Sequence, residues 1–193
     1  MAGSEDVTRR DGALVLSTRR LRLRTFVTED LPAYAALNAD FEVMKYLGKP
    51  LDREHSDQMV GAAQRSFAES GVGKIAIERA SDGVFLGMCG LSCEEWYPHD
   101  LELGWRLDRR YWGQGYASEA ASAWLAYAFT TMAQTRIISI ADVLNARSIA
   151  VMKRLAMTLD HTAELVHEGE TFSAVIYAIT RERWQSNIEP IAK

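Results

Sequence analysis

Cysteine is scarce in this chain: two thiols, Cys89 and Cys93, among 193 residues. Both fall on one predicted strand, where four residues at about 3.3 Å each hold them roughly 13 Å apart, too far for a disulfide. No set of partners at metal-ligand spacing surrounds them, so no metal is expected. Long apolar runs are also missing. None approaches membrane-spanning length, and the first residues lack the apolar core of a signal peptide. Basic charge is not in excess either. The net charge is −4 with no long basic run, which argues against nucleic acid as a partner and makes any phosphate binding a local affair. Internal repeats and low-complexity blocks are absent. The default expectation is a cytoplasmic protein that uses neither a membrane nor a nucleic acid.

What is present fits one ordinary globular domain. Apolar residues make up 48% and charged residues 25%, enough for a substantial core. Residues 1–13 are polar and aperiodic and are expected as a flexible tail, as are residues 186–193. Leu21 to Arg24 alternates like an edge strand with one wet face. Thr28 to Pro32 supplies a cap, early acids and an early proline for a helix to about Asn38. A second helix follows Asp52 to about Phe67, with Met59, Ala63 and Phe67 on one face. Lys74 to Arg79 and Val84 to Cys93 form a hairpin around Ser81-Asp82-Gly83. Leu101 to Leu107 is a further strand, and Ala121, Trp124, Leu125, Ala128 and Met132 mark a helix after it. Arg136 to Ala141 is apolar enough for a buried strand. Asn145 caps a helix with Ile149, Met152 and Leu155 inward, and residues 163–180 close as a hairpin around Glu168-Gly169-Glu170.

The most informative segment joins the Leu101–Leu107 strand to the helix beginning near Ala117. It reads Asp108-Arg109-Arg110-Tyr111-Trp112-Gly113-Gln114-Gly115-Tyr116-Ala117. A strand that turns through closely spaced glycines into a helix leaves backbone N–H groups pointing outward, with the positive end of the helix dipole behind them. Such a turn suits a phosphate or pyrophosphate, and Arg109 and Arg110 place positive charge at its entrance. A dinucleotide-binding turn uses a similar strand–glycine–helix unit, but Ser118 stands where its third glycine belongs, and an antiparallel meander precedes the segment.

Arg110-x-x-Gly113-x-Gly115 resembles the acetyl-CoA signature of the GNAT N-acetyltransferases, Gln/Arg-x-x-Gly-x-Gly/Ala. Three further segments resemble the ribosomal-protein N-terminal acetyltransferase-like (RimJ/RimL-like) branch, whose members act on protein N-termini, amino acids, polyamines and antibiotics. They are Thr18-Arg19-Arg20-Leu21-Arg22-Leu23-Arg24, the run Trp112 to Ala120, and Asn145-Ala146-Arg147-Ser148 followed by Met152 to Met157. The resemblance spans roughly Leu16 to Trp184. It implies a mixed α/β fold in a single GNAT-like domain, residues 14–185. A mostly antiparallel twisted sheet would be flanked by helices and contain one splayed parallel strand pair, Leu101–Leu107 with Arg136–Ala141. It also implies transfer of an acetyl group from acetyl-CoA to a primary amine, either a protein N-terminus or a small molecule, by direct attack in a ternary complex. The pantetheine arm would lie against the backbone of Trp105, Arg106 and Leu107. The amides of Gly113, Gln114, Gly115, Tyr116 and Ala117 would hold the pyrophosphate, close approach excluding a Cβ at both glycines. Asn145 and Ser148 would face the pantetheine and sulfur, and Lys153 or Arg154 the nucleotide phosphates.

The chemistry needs a neutral amine, stabilisation of the developing oxyanion and a contact for the leaving thiolate. Glu102 is the candidate base, acting through water; the alternative is a solvent-facing strand residue. Ser148 is the candidate thiolate contact; the alternative is a role in helix capping. Many GNAT enzymes place a tyrosine acid seven residues after the Asn, where this chain has Met152, and Ala156 replaces a usual glycine. An acyl-CoA-binding sensor or scaffold without catalysis is therefore the rival reading on the same fold. Trp96, Tyr97 and Trp105 could line an acceptor pocket, and Glu119 is expected to tether the loop or favour the helix start. His99 and His161 read as turn residues that could also meet substrate. Glu164, His167 and Glu168 lie near where some branch members carry a hairpin glutamate. Surface acids such as Asp52, Glu54, Asp57 and Glu170 would favour a cationic acceptor if they face it. A homodimer is compatible with such a domain.

Overall fold

The computed structural model describes residues 12–188. Eight strands form one sheet: β1 (Leu14–Ser17), β2 (Leu21–Arg24), β3 (Lys74–Arg79), β4 (Phe85–Cys93), β5 (Leu101–Leu107), β6 (Arg136–Asp142), β7 (Thr158–His167) and β8 (Glu170–Thr180). Their order is β1-β2-β3-β4-β5-β6-β8-β7, antiparallel except for the β5–β6 pair. The helices are α1 (Leu31–Ala39), α2 (Phe41–Met44), α3 (Arg53–Ser70), α4 (Tyr116–Thr130), α5 (Ala146–Arg154) and α6 (Arg181–Ile188). Alternation along the strands sends side chains to two faces. On one face Leu103, Leu107, Ile137 and Ile179 pack with Trp124, Leu125, Val151 and Met152 of α4 and α5. On the other, Ala76 and Met88 pack with Phe26, Tyr34, Leu37 and Val60, which come from α1, α3 and the segment before them.

Several expectations are corrected. Leu21–Arg24 is not an edge strand: β1 lies outside it, Leu21 and Leu23 are fully buried, and Arg24 is buried as well. Arg24 is inside because Asp30 and Glu78 take its guanidinium at 2.6 Å each, and those bonds hold its charge firmly. The acid before α1 thus serves a buried ion pair rather than only the helix end. The second helix runs three residues past Phe67, to a left-handed cap at Gly71. Of the expected tails, residues 1–11 and 189–193 lie outside the described residues; Ala13 is hydrogen-bonded to Thr25 at 2.9 Å, and α6 extends to residue 188. Cys89 and Cys93 share β4 as free thiols, and burial pushes the Cys89 thiol up, so it is inert.

Candidate active site

The parallel pair β5–β6 is joined only at its start. Leu101 pairs with Ile137 and Glu102 with Ile138, after which the ladder stops although both strands continue. The last tie is the Ser139 hydroxyl, which donates to the Leu103 carbonyl at 2.6 Å. Beyond it the strands diverge. Backbone polar groups alternate between a strand's two edges, so Leu103, Trp105 and Leu107 all face the gap. The Leu103 carbonyl is taken by Ser139 and the Leu107 carbonyl by the Trp112 indole at 2.8 Å. Trp105 is left presenting an N–H and a C=O to the opening, the pattern an added strand-like ligand requires.

After Leu107, Asp108 caps a short turn over Arg109–Tyr111, and the chain then passes Gly113 at φ +74° and Gly115 at φ +80° into α4. Both glycines occupy the left-handed region that residues with a Cβ avoid. No side chain caps α4. Among the described residues the amides of Gly113 to Ala117 donate to no protein acceptor, so a row of N–H groups stands free at a helix start. The row is braced from β2. Glu119, in the first turn of α4, accepts from Thr18 Oγ1 and Arg20 Nε, both at 2.5 Å. Arg20 in turn donates to the Gln114 carbonyl at 3.0 Å and lies 4.6 Å over the Tyr116 ring. Burial opposes the Glu119 carboxylate, but the Thr18 and Arg20 donors outweigh it and hold its pKa below the usual carboxylate range. Glu119 does tether the loop, through Arg20.

A cleft of about 590 Å³ joins these parts. Its walls are the end of β5, the glycine loop, one side of α5 along its length, and α2 with the turn after it. Asn145 caps α5, its side chain accepting from the Ser148 N–H at 3.2 Å, so the capping role belongs to Asn145. The Ser148 hydroxyl has no partner among the described residues and Ser148 lines the cleft. Met152 is 1% exposed in the core, so no acid reaches the cleft from that position.

Glu102 is neither solvent-facing nor on the cleft wall. It is 7% exposed on the α1–α3 face of β5. Lys74 Nζ stands 3.2 Å from its carboxylate, and the Ser92 hydroxyl donates to it at 3.1 Å. The pair has room because Lys74, Gly90 and Gly104 form one cross-strand row. A Cβ at Gly104 would come within 2.8 Å of Glu102 Oε2 and 2.9 Å of Lys74 Nζ. The carboxylate therefore extends along β5 over Gly104, toward the residues that line the cleft. Burial pushes the Glu102 pKa up, with Lys74 opposing. Burial also works against the Lys74 charge, but Glu102 and Glu94 outweigh it and leave its pKa raised.

A splayed parallel pair beside a free-amide glycine loop is the arrangement that the resemblance to the acetyl-CoA signature implies. The model of the acetyltransferase (GNAT) domain matches residues 20–158. The chain belongs to the GNAT acetyltransferase family. It is 30% identical over 172 residues to the uncharacterized N-acetyltransferase YnaD of Bacillus subtilis, covering 88% of this chain and 98% of that one. The crystal structure of a GNAT-family acetyltransferase from Bacillus anthracis superposes with a TM-score of 0.75 at 27% identity, over 86% of this chain and 98% of that one. RimL, a ribosomal L7/L12 alpha-N-protein acetyltransferase solved in complex with coenzyme A, shares the fold at a TM-score of 0.72 and 19% identity, over 86% and 97% of the two chains.

Within this GNAT domain, Trp105, Arg106, Leu107, Gly113, Gly115, Tyr116, Ala117, Asn145 and Ser148 come together around the cleft. Other expected residues do not. Arg110 is turned back onto Asp108 at 2.6 Å, Arg109 onto Asp40 at 2.8 Å, and Gln114 donates its side-chain amide to the Arg110 carbonyl. On α5 it is Arg154 and Arg147, rather than Lys153, that line the cleft, and Arg147 lies 4.5 Å over the Trp112 ring. Trp96 and Tyr97 pack against the β7–β8 hairpin through Val166 and His161 instead of lining the cleft. His99 is exposed in the turn before β5. The sequence reading missed α2, whose Glu42 and Val43, with Tyr46 and Leu47 beyond, form the remaining wall. Four helical residues are too few for a periodic signal; Asp40, whose side chain accepts from the Glu42 N–H at 2.9 Å, was the available cue.

Proposed function

We propose that this GNAT domain moves an acetyl group from acetyl-CoA to a primary amine by direct attack, in the manner of the RimJ/RimL-like branch. The observation that carries the reading is the row of free amides from Gly113 to Ala117 beside the open edge of β5 at Trp105. Those amides suit a pyrophosphate at the α4 N-terminus, and glycine at 113 and 115 leaves the approach clear. Trp105 offers its N–H and C=O to the amide groups of the pantetheine arm. Arg147 and Arg154 offer charge to the nucleotide phosphates. A CoA complex of the structurally similar RimL supports the same ligand for this chain.

Acetyl-CoA supplies an activated thioester; the other requirements fall on residues of this chain. As the amine nitrogen bonds to the acyl carbon and the carbon–sulfur bond breaks, one proton must leave nitrogen and one must reach sulfur. Glu102 accepts the first through water along the Gly104 face. Its burial raises the carboxylate's proton affinity toward that of the group it must deprotonate. The Ser148 hydroxyl, free at the cleft wall, contacts the departing thiolate. Met152 favours a second reading, a domain that binds acyl-CoA without turning it over. Release of free thiol from acetyl-CoA, measured over a panel of amines with the intact chain, separates the two. Amine-dependent release is expected; tight CoA binding with no release across the panel would establish the second reading instead.

A further inference from the structure

Three arginines line the cleft, and one of them, Arg106, is enclosed with part of its guanidinium lacking any acceptor. Arg147 and Arg154 are exposed on α5. Arg24 is matched by Asp30 and Glu78, Arg20 by Glu119, and Arg136 by Asp100 and Asp160. Arg106 has no such match. Among the described residues no carboxylate lies within ion-pair distance of it, its Nη1 donates only to the neutral Asn38 amide oxygen at 2.7 Å, and its Nε is enclosed with no acceptor. Burial pushes its pKa down, opposed only by Tyr34, yet a guanidinium still keeps its proton. An enclosed cation without a counter-ion is costly unless an anion reaches it.

The side of the sheet identifies whose anion that is. Arg106 has the parity of Glu102 and Gly104, and it meets Asn38 of α1, on the face opposite α4 and α5. The free amides and the α5 arginines, which suit the phosphates of CoA, belong to the other face. Arg106 therefore serves the second substrate, beside the wall built by Glu42, Tyr46 and Leu47. Building on the acetyltransferase reading, we propose that the acceptor amine carries a carboxylate and that Arg106 binds it, so that the preferred substrates are aminocarboxylic acids rather than polyamines or neutral amines. A guanidinium gives a carboxylate a charge-assisted hydrogen bond, and the terminal nitrogen of Arg106 that Asn38 does not hold is free to supply it.

The test uses matched pairs: aminocarboxylic acids of increasing chain length against their carboxamides, and peptides with a free α-amine beginning in Asp against the same peptides beginning in Asn. Thiol release should give each protein a ratio of kcat/KM, acid over amide, which does not depend on the active fraction. In the unaltered chain the best pair should show a ratio of about 10–100, the range of a hydrogen bond to a charged group. Arg106→Gln should bring it near one, and Arg106→Lys should restore part of it. Which arm shows the ratio tells a free amino acid from an acidic peptide N-terminus. Ratios near one for every pair, or a large ratio that survives Arg106→Gln, would overturn the proposal. A calorimetric titration of the same pairs into the protein saturated with CoA needs no turnover. Arg106-dependent preference for the acid in binding, without thiol release, would sustain the carboxylate site while removing the acetyltransferase reading. Amine-dependent release with no acid preference in either readout would do the reverse.

Discussion

The two halves of the cleft are built in different ways. The half suited to acetyl-CoA rests mainly on the backbone of one stretch, Trp105 to Ala117, whose amides and two left-handed glycines supply the chemistry, with Arg147, Ser148 and Arg154 of α5 beside it. The half suited to the acceptor is assembled from side chains far apart in sequence: Asn38 on α1, Glu42 and Tyr46 near α2, Arg106 on β5, with Lys74 and Glu102 beneath. A backbone site depends on φ values and tolerates change in most side chains. A side-chain site depends on individual charges and hydrogen bonds, so it can be altered one residue at a time without touching the other half.

The sharpest way to break this contrast is at the reacting end. Glu102→Gln is expected to lower kcat by about 10²–10⁴-fold, the usual scale of a lost proton acceptor, while the affinity for acetyl-CoA stays unchanged. The same variant has a pH signature. The Glu102 pKa is raised by burial and the ionised form is the active one. The rate of the parent should therefore fall as pH drops through a value above the ordinary carboxylate range, and the variant should lose that acid limb. Unchanged turnover and an unchanged profile would remove Glu102 from the mechanism. Ser148→Ala should have a smaller effect on the same side of the split, about tenfold in kcat, as expected for a single contact to a developing charge.

The opposite arm of the comparison is Gly115→Val. A branched side chain at φ +80° is strained, and its Cβ would stand 3.4 Å from Arg20 Nη2, within the brace of the loop. Acetyl-CoA should bind about 10–100-fold more weakly by calorimetry, with little change in kcat at saturation. If instead kcat collapses and affinity holds, the division between a backbone half and a side-chain half is wrong. The smallest effect is expected outside both halves. Ala156 sits at φ +59° where α5 ends, so Ala156→Gly should relieve left-handed strain and stabilise the fold by about 0.5–1 kcal/mol, raising Tm by roughly 2 °C without altering turnover.

The Trp105-to-Ala117 half was legible because its evidence is local. Glycine spacing, a preceding alternating strand and a following apolar helix are all contained in some thirty residues, and Asn145 announces the α5 cap in the same way. Glu102, by contrast, was a candidate base that its strand pattern could not tell from an ordinary solvent-facing polar residue. Its burial depends on Lys74 and Ser92 across two other strands and on the absence of side chains at Gly90 and Gly104. Arg109 and Arg110 carried the right charge in the right place along the chain, but Asp40 and Asp108 claim them, and Arg147 reached the cleft from a helix whose orientation the sequence does not specify.

By itself the sequence determined the mixed α/β domain and the loop suited to pyrophosphate, because periodicity and glycine conformation act between near neighbours; the parallel strand pair followed from the resemblance of its motifs to the GNAT family. Only the tertiary structure decided which charges are spent on one another and which remain open. That follows from the reach of the forces: an ion pair forms between whatever the fold brings within 4 Å, whereas a helix or turn is specified within a few residues. Arg106, charged and unmatched, became distinguishable only when every neighbouring carboxylate had been placed.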